Sequence, residues 1–319
     1  MAANTRRPSR PASSRACALA EAIAGKCKTA SAKSAIMTSM PIMSTSTLCA
    51  LAAILLWGSL ALISVRLSSV PPFLLVGVAL CIGGLCGLPR WRDWRIPGKT
   101  LLLGCYGLFG YHFCLFLALR YAPALEANLI NYLWPLLIVL LAPLILPNMR
   151  LTGRHVLGGL LGLSGCVLIV LGKGVVLLGS QHLLGYVLAA IAAVMWATYS
   201  LLTQRVPPFP TGAVGGFCMA SGLLSLLAHA ALEPAYRIGA AEWAWLGLLG
   251  LGPMGAAFFL WDAALKRGDA RAIGTLAYLT PLLSTGLLAA FGGGQFGWQA
   301  AVALCLILAG AWLGNRTAA

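Results

Sequence analysis

Ten stretches of mostly apolar residues follow one another along the chain, separated by short connections that carry proline, glycine or charge. Each has about the length that an α-helix needs to cross a membrane, roughly 20 residues. The pattern predicts an all-α membrane protein with ten transmembrane helices, numbered here as segments 1 to 10. Their predicted bounds are 48–65, 71–88, 100–119, 124–146, 153–171, 183–203, 211–232, 241–262, 271–291 and 297–314.

The first 43 residues have a different character. They are rich in alanine, serine, arginine and lysine, and Glu21 is their one acidic residue. A stretch of this composition buries too little apolar surface to fold, so residues 1–43 are expected to form a disordered basic tail. Met37, Met40 and Met43 directly precede segment 1, and the native start is expected to lie among them.

Composition supports the membrane interpretation. Hydrophobic residues make up 60% of the chain and charged residues 9%, whereas a soluble domain carries about 25% charged residues. Lipid must therefore face most of the surface. The net charge of +15 does not indicate a nucleic-acid partner, because seven of the 22 basic residues lie in the tail and most others lie in short connections.

The distribution of lysine and arginine predicts the orientation. If the N-terminus is cytoplasmic, 18 of the 22 basic residues lie on the cytoplasmic side, and only Arg66, Arg120, Lys173 and Arg237 lie outside. Cytoplasmic connections of membrane proteins carry an excess of basic residues. Both termini are therefore expected in the cytoplasm.

The two halves of the chain resemble each other. Residues 118–137 and 264–283 are identical at 8 of 20 positions at an offset of 146, and residues 57–66 resemble 196–205 at an offset of 139. We therefore expect residues 44–175 and 180–316 to form two five-helix repeats. Because five is odd, the second repeat is inverted in the membrane, an arrangement that suits alternating access to a central site.

Prolines and glycines mark close approaches and breaks. Pro135 and Pro281 occupy matching places in segments 4 and 9. Each is expected to interrupt its helix and free a backbone carbonyl near a central site, with an ordinary packing kink as the alternative. Gly83 and Gly87 have the small-xxx-small spacing that lets membrane helices approach closely.

Polar and aromatic side chains on one face of a membrane helix predict a binding cavity. In segment 4 such side chains are spaced i, i+3, i+4 and i+7, and segment 6 repeats that spacing. An aromatic cavity with a few hydrogen-bonding groups suits a neutral or zwitterionic solute with an apolar body. The alternative for tryptophan and tyrosine is the interfacial belt. The candidate cavity residues are Trp57, Tyr111, His112, Asn128, Asn131, Tyr132, Trp134, Trp196, Tyr199 and Tyr278.

Titratable groups within the segments are scarce. His112 is the one histidine well inside a segment, where it either moves protons and binds substrate or serves as a satisfied donor between helices. Only Glu126 and Asp262 among the carboxylates approach a segment, both near predicted helix ends, and Asp262 is expected to pair with Lys266. Without a deep carboxylate, facilitated diffusion or exchange is favoured over proton antiport, and coupling through His112 stays open.

Catalysis and metal binding find no support in the sequence. It contains no Gly-x-Ser-x-Gly, no His-Glu-x-x-His and no phosphate loop. The ten cysteines form no Cys-x-x-Cys pair, so they are interpreted as small buried hydrophobic residues. The protein is expected to be no enzyme and to need no cofactor or metal.

Four motifs carry a family resemblance. The predicted inverted repeats, each closed by Pro-Leu-Leu, resemble the EamA branch of the drug/metabolite transporter superfamily over residues 44–316. A narrower resemblance is to the YddG-type exporters of aromatic amino acids. It rests on Ala-Ile-Leu-Leu-Trp-Gly-Ser (53–59), Gly-Tyr-His-Phe (110–113), Glu-Ala-Asn-Leu-Ile-Asn-Tyr-Leu-Trp-Pro-Leu (126–136) and Trp-Ala-Thr-Tyr-Ser (196–200).

The resemblance implies a bacterial inner-membrane exporter, expected to be monomeric, of aromatic and other apolar amino acids, with planar cations such as methyl viologen as further candidates. By matching motif positions, it implies a central cavity lined by Tyr111, His112, Tyr132, Trp134 and Trp196. Small multidrug pumps of the superfamily rely on a glutamate in the first helix. Segment 1 has none, so their proton exchange is not implied.

Two alternatives remain open. A nucleotide-sugar or organic-phosphate exchanger needs lysine or arginine deep in a segment to meet the phosphate, and the sequence places none there. A non-transporting membrane scaffold would use its polar stripes to hold helices together.

Overall fold

The computed structural model describes residues 44–147, 149–171, 180–291 and 298–315, and no β-strand occurs among them. The predicted tail, residues 1–43, lies outside the described residues. The α-helices are α1 (Thr45–Gly58), α2 (Leu60–Arg66), α3 (Pro72–Leu85), α4 (Gly98–Cys105), α5 (Tyr111–Tyr121), α6 (Ala124–Asn131), α7 (Trp134–Ile145), α8 (Gly153–Leu171), α9 (Leu183–Leu202), α10 (Ala213–Leu232), α11 (Ala240–Leu251), α12 (Ala257–Arg267), α13 (Ala270–Leu276), α14 (Leu279–Phe291) and α15 (Trp298–Asn315).

These helices coincide in order with the ten predicted segments. Within the described ranges, seven helical stretches are long and apolar enough to cross a membrane. An eighth candidate is the pair Pro72–Leu85 and Leu88–Trp94, bent by 92°, and two shorter apolar helices span Gly153–Leu168 and Ala301–Leu313. The prediction of an all-α, multi-pass membrane protein is confirmed.

Two segments differ in detail from the prediction. Segment 2 was expected to run straight to residue 88, but α3 ends at Leu85 and a short 3₁₀ helix turns away from it. Segment 8 was expected to end at Asp262, but α12 continues to Arg267. Because of this continuation, Asp262 lies inside a helix and its side chain is buried.

Irregular turns recur at the same places in both halves. A π-helical turn at Tyr106–Gly110 joins α4 to α5, and another at Gly252–Ala256 joins α11 to α12. Both bounds of the second π turn follow those of the first by 146 residues, as do both bounds of α12 relative to α5. This spacing equals the offset of the internal sequence similarity. A π turn needs an extra backbone residue, so it shifts which side chains face a neighbouring helix.

Helix packing follows a paired pattern. Segment 5 packs along segment 10, and segment 2 along segment 7. Helix α5 of segment 3 packs on α9 of segment 6, while α12 of segment 8 packs on α1 of segment 1. The contact between segments 3 and 6 therefore corresponds to that between segments 8 and 1, five segments further along. The other two contacts each join a segment to its own counterpart in the other half.

An ion pair at the start of α13 is linked by a hydrogen bond to the connection that precedes α8. The Asp269 carboxylate accepts the backbone N–H of Arg271 at 2.8 Å and so caps α13. The Arg271 side chain bonds the same carboxylate at 2.6 Å and also donates to the Arg150 carbonyl. Burial alone would raise the pKa of Asp269, but the hydrogen bonds from Arg271 outweigh it and lower that pKa below its ordinary value. The pair therefore stays ionised at neutral pH.

Candidate functional site

A cavity of about 650 Å³ lies among the membrane segments, a size within the range of small-molecule sites. Segments 1, 2, 3, 4, 6, 8 and 9 contribute to it. The lining residues are Trp57, Leu60, Ser64, Leu75, Val76, Tyr111, His112, Leu115, Phe116, Leu119, Ala124, Asn128, Asn131, Tyr132, Trp134, Trp196, Leu249, Met254, Phe258, Thr280, Pro281 and Ser284.

Three tryptophans of the cavity lining and a fourth behind them form one aromatic cluster. The rings of Trp57 and Trp196 lie 5.7 Å apart, and Trp134 lies 6.3 Å from Trp196 in an edge-on arrangement. Trp261 packs behind them, 5.1 Å from Trp57 and 5.7 Å from Trp134. Edge-on and tilted aromatic pairs are favourable because positive ring edges meet negative faces. We call this cluster the aromatic floor of the cavity.

The first π turn positions Tyr111 and His112 beside this floor. It ends at Gly110, so α5 begins with these two residues. The Tyr111 ring lies 5.2 Å from that of Trp196. His112 Nδ1 donates to the Leu108 carbonyl at 2.5 Å. Since a carbonyl only accepts, Nδ1 carries the proton, and in the neutral ring Nε2 is left as an acceptor.

An asparagine supplies a second acceptor in the cavity. The Asn131 amide donates to the Tyr111 hydroxyl at 3.1 Å, and only 6% of the residue is exposed. Its carbonyl oxygen has no hydrogen-bond partner within the described part of the chain. Asn128 differs, since its amide bonds the Ala124 carbonyl of its own helix at 2.8 Å. A buried polar atom without a partner is costly, which makes Asn131 the stronger candidate for contacting a ligand.

Segments 4 and 9 are both broken at the cavity. In segment 4, α6 ends at Asn131 and α7 begins at Trp134 with Pro135 in its first turn. In segment 9, α13 ends at Leu276 and α14 begins at Leu279, two residues before Pro281. Pro281 lines the cavity, whereas Pro135 is buried behind it. The functional role of both prolines stays a prediction.

Two candidate residues do not line the cavity in this conformation. Tyr199 is 3% exposed and its ring packs 5.4 Å from that of Trp196, on the far side of the floor. Tyr278 is fully buried and turned towards segment 5, where Gly162 leaves room for its ring. Tyr199 lies in the unbroken helix α9, whereas Tyr278 lies at the break between α13 and α14. The other eight candidate residues line the cavity.

The sequence pattern did not indicate several residues of the site. Phe258 and Trp261 come from an apolar stretch of segment 8 that carries no polar stripe, and Thr280 and Ser284 come from segment 9. The internal repeat contained a signal for two of them. At the offset of 146, Phe258 corresponds to His112 and Thr280 corresponds to Trp134.

The charge of the site is also informative. Among the described residues, no lysine, arginine, aspartate or glutamate side chain lines the cavity. The expected absence of a deep carboxylate needs correction, however, because Asp262 and Glu126 are only 3% and 5% exposed. Asp262 lies in the middle of α12 rather than near a helix end. Its expected ion pair with Lys266 is confirmed, at 2.7 Å.

The fold and the cavity define the class of protein: a multi-pass helical membrane protein with a solute-sized, aromatic-lined site between its segments. The chain belongs to the EamA-like transporter family, whose model matches it twice, over residues 30–171 and 183–316. The predicted family is therefore confirmed. Membership places the protein among membrane transporters rather than enzymes.

Similar proteins include two named exporters. The chain is 42% identical over 276 residues to the aromatic amino acid exporter YddG of Ancylobacter novellus, covering 84% of this chain and 96% of that one. It is 30% identical over 300 residues to the aromatic amino acid exporter YddG of Escherichia coli K12, covering 85% and 97%. A solved crystal structure matches with a TM-score of 0.81 and 41% identity, covering 85% of this chain and 97% of that chain.

Proposed function

We propose that this protein exports aromatic and other apolar amino acids across the bacterial inner membrane by alternating access. The observation that carries the proposal is the cavity itself, which combines an aromatic floor with hydrogen-bonding groups and has no charged lysine, arginine or carboxylate among its described lining residues. The similarity to two exporters of aromatic amino acids supports the substrate class.

The chemistry of the lining suits a zwitterion with an apolar body. The substrate ring stacks against Trp134 and Trp196, where aromatic contacts favour it beyond the burial of area alone. The unpartnered carbonyl oxygen of Asn131 and Nε2 of His112 accept from the ammonium group. Hydroxyl groups of Thr280 and Ser284, on the opposite repeat, are placed to donate to the carboxylate.

Two inverted five-helix repeats explain how such a site changes its accessibility. Support comes from the double match of one family model, from the π turns spaced by 146 residues and from the paired packing of segments. The cavity lining reaches Ser64, Leu119 and Ala124, beside the helix ends that carry Arg66 and Arg120. With both termini cytoplasmic, this end faces outwards. We take the structure to be the outward-facing state of a monomeric transporter.

The alternative substrates differ in charge. An organic phosphate needs a basic residue to meet it, and none lines the described cavity, so a phosphate exchanger is disfavoured. A planar cation such as methyl viologen would stack on the same tryptophans through cation–π attraction. It is the second candidate, favoured by the aromatic floor.

Counterflow into proteoliposomes tests the proposal. Vesicles holding the purified protein and unlabelled phenylalanine are expected to accumulate labelled phenylalanine, tryptophan and methionine with saturation, because exchange through one site needs no energy source. Threonine tests how far the apolar requirement extends. Empty vesicles are the control, and methyl viologen is added as a competitor. No uptake of any amino acid above the control would refute the amino-acid assignment. Inhibition of labelled amino-acid uptake by methyl viologen would show that the cation binds the same site.

A matched pair of asparagine variants tests the polar end of the site. Asn131→Leu removes the free acceptor and the donor to Tyr111, so KM for phenylalanine is expected to rise by about tenfold, as for loss of a hydrogen bond to a charged group. Asn128→Leu is expected to raise KM less, because that amide already bonds its own helix. Equal effects at the two positions, measured by initial rates of counterflow, would contradict the assignment.

A further inference from the structure

A polar cluster lies at the end of segment 8 that is remote from Ser64, since α2, which carries Ser64, packs on α11 at the other end of that segment. Asp262 Oδ2 accepts from Lys266 Nζ and from Thr211 Oγ1, each at 2.7 Å. Lys266 Nζ also donates to the Phe209 carbonyl at 2.9 Å and lies 3.6 Å from the centre of the Phe209 ring. The cluster therefore ties the end of segment 8 to the connection between segments 6 and 7.

Asp262 is incompletely satisfied in this arrangement. The residue is 3% exposed, and its second oxygen, Oδ1, has no hydrogen-bond partner among the residues that the structure describes. A buried ion pair contributes little stability unless its remaining lone pairs are bonded. An ionisable residue within a membrane segment usually has a functional role. The free oxygen points to a further cationic or hydrogen-bonding partner that is absent in the closed arrangement.

The internal repeat relates this cluster to the open cavity. At the offset of 146, Asp262 corresponds to Phe116 and Trp261 to Leu115, and both counterparts line the cavity. Helices α5 and α12, which carry them, have the same length and follow equivalent π turns. When inverted repeats exchange their arrangements, the protein opens to the other side. Trp261 and Asp262 then take the positions that Leu115 and Phe116 occupy now.

Tyr199 and Tyr278, the two candidate residues outside the present cavity, also correspond to residues that line it. Tyr278 corresponds to Tyr132 at the offset of 146, and Tyr199 corresponds to Leu60 at the offset of 139. Tyr132 and Leu60 both line the open cavity. The exchange therefore brings Tyr199, Tyr278 and Asp262 to a cavity that opens on the other side, which we call the second vestibule. An aromatic lining with one carboxylate suits a substrate that has an aromatic body and a cationic group.

We propose that Asp262 is the loading site of this second vestibule and binds the ammonium group of the amino acid that arrives from that side. The inference rests on the proposed function. An α-ammonium group is chemically similar to the Lys266 ammonium, with three N–H donors. It can bond Oδ1 and then replace Lys266 at Oδ2, so substrate binding itself weakens the cluster that closes this side.

The test measures transport separately from each face of the membrane. Proteoliposomes hold the wild type or Asp262→Asn, which keeps the size of the side chain and an acceptor for Thr211 and Lys266. KM for phenylalanine supplied from the Asp262 face is expected to rise at least about tenfold in the variant, as for loss of a charge-assisted hydrogen bond. KM from the opposite face is expected to be unchanged. Limited proteolysis of the connection around Arg205 identifies the orientation of the protein in the vesicles.

Asp269→Asn is the matched control. It makes the same chemical change seven residues further along the chain, at a carboxylate held by Arg271 outside the vestibule. Its KM is expected to match the wild type on both faces. A second measurement needs no variant. On the wild type, phenethylamine, which keeps the ammonium, should compete from the Asp262 face, and 3-phenylpropionate, which lacks it, should compete weakly there.

The outcomes separate the two proposals. Wild-type transport together with an unchanged KM in Asp262→Asn would overturn the loading site and leave the proposed function standing. An equal rise of KM on both faces, or a change in maximal rate alone, would mean that Asp262 serves only to close this side. Either result would overturn the loading site. Equal competition by phenethylamine and 3-phenylpropionate from the Asp262 face would also overturn the loading site. Absence of amino-acid transport by the wild type would overturn both proposals.

Discussion

Replacing Trp196 with alanine is expected to reduce phenylalanine counterflow by about tenfold to a hundredfold, because several aromatic contacts of about 0.5–1.5 kcal/mol each disappear together. Trp196 lies at the centre of the site. Its ring contacts those of Trp57, Tyr111 and Phe258 at 5.2 to 5.8 Å, and the residue is 4% exposed. Removing the indole deletes one wall of the cavity and one support of the floor.

Stability must be separated from binding in this experiment. Truncating a buried tryptophan to alanine typically costs about 3–5 kcal/mol, so a lower thermal midpoint is expected for Trp196→Ala. Trp196→Phe keeps an aromatic ring, and a smaller loss of transport with a nearly normal melting curve is expected for it. Trp243→Ala is the matched control, because that tryptophan is 50% exposed. A folded Trp196→Ala protein with undiminished counterflow would show that the ring does not contact the substrate.

The polar side chains along one face of segment 4 are a part of the site that the sequence predicts. Asn128, Asn131 and Tyr132 were predicted to share one helix face, and all three line the cavity. Spacing alone brings them to one face because helical periodicity is local, and polar groups in a membrane segment have few reasons to occur. Their role in substrate binding stays a prediction. The break after Asn131 was also indicated by the proline that follows it.

Other residues of the site depend on features that periodicity does not contain. Each π turn adds a residue to its helix, so the faces presented by Phe258 and Trp261 do not follow from a period of 3.6. Their apolar side chains also give no polar signal in a membrane segment. Tyr199 and Tyr278 were expected to line the cavity, but both are buried outside its lining, and their role in binding stays a prediction.

The environment of Asp262 illustrates the limit for charged residues. Its pairing with Lys266 followed from the i, i+4 spacing and is confirmed. Its contact with Thr211, 51 residues away, depends on how segments 6, 7 and 8 meet. Local spacing predicts an ion pair, whereas burial of that pair is a property of the tertiary fold. The distinction matters because the buried oxygen, rather than the ion pair, carries the proposed loading site.

Gly83→Ala is expected to destabilise the protein by about 1–3 kcal/mol, the usual cost of overpacking. A Cβ atom at Gly83 would lie 2.6 Å from the Met254 carbonyl oxygen and 2.8 Å from the Gly255 Cα. Both atoms belong to the second π turn and are backbone, so they cannot rotate out of the way. The variant therefore pushes segment 2 away from segment 8. Met254 also lines the cavity, and the same displacement is expected to lower the rate of transport.

Gly247→Ala makes the same change in a helix interior where, apart from the neighbouring residues and backbone of its own helix, no atom of the described residues lies within 4 Å of the added Cβ. Alanine is the better helix former by up to about 1 kcal/mol, so this variant is expected to melt at or slightly above the wild-type temperature. Thermal midpoints of the three detergent-solubilised proteins distinguish the effects. If both glycine variants behaved alike, helix propensity rather than the approach of segments 2 and 8 would govern the stability. A specific loss at Gly83, accompanied by slower counterflow, would instead link this contact to the geometry of the cavity.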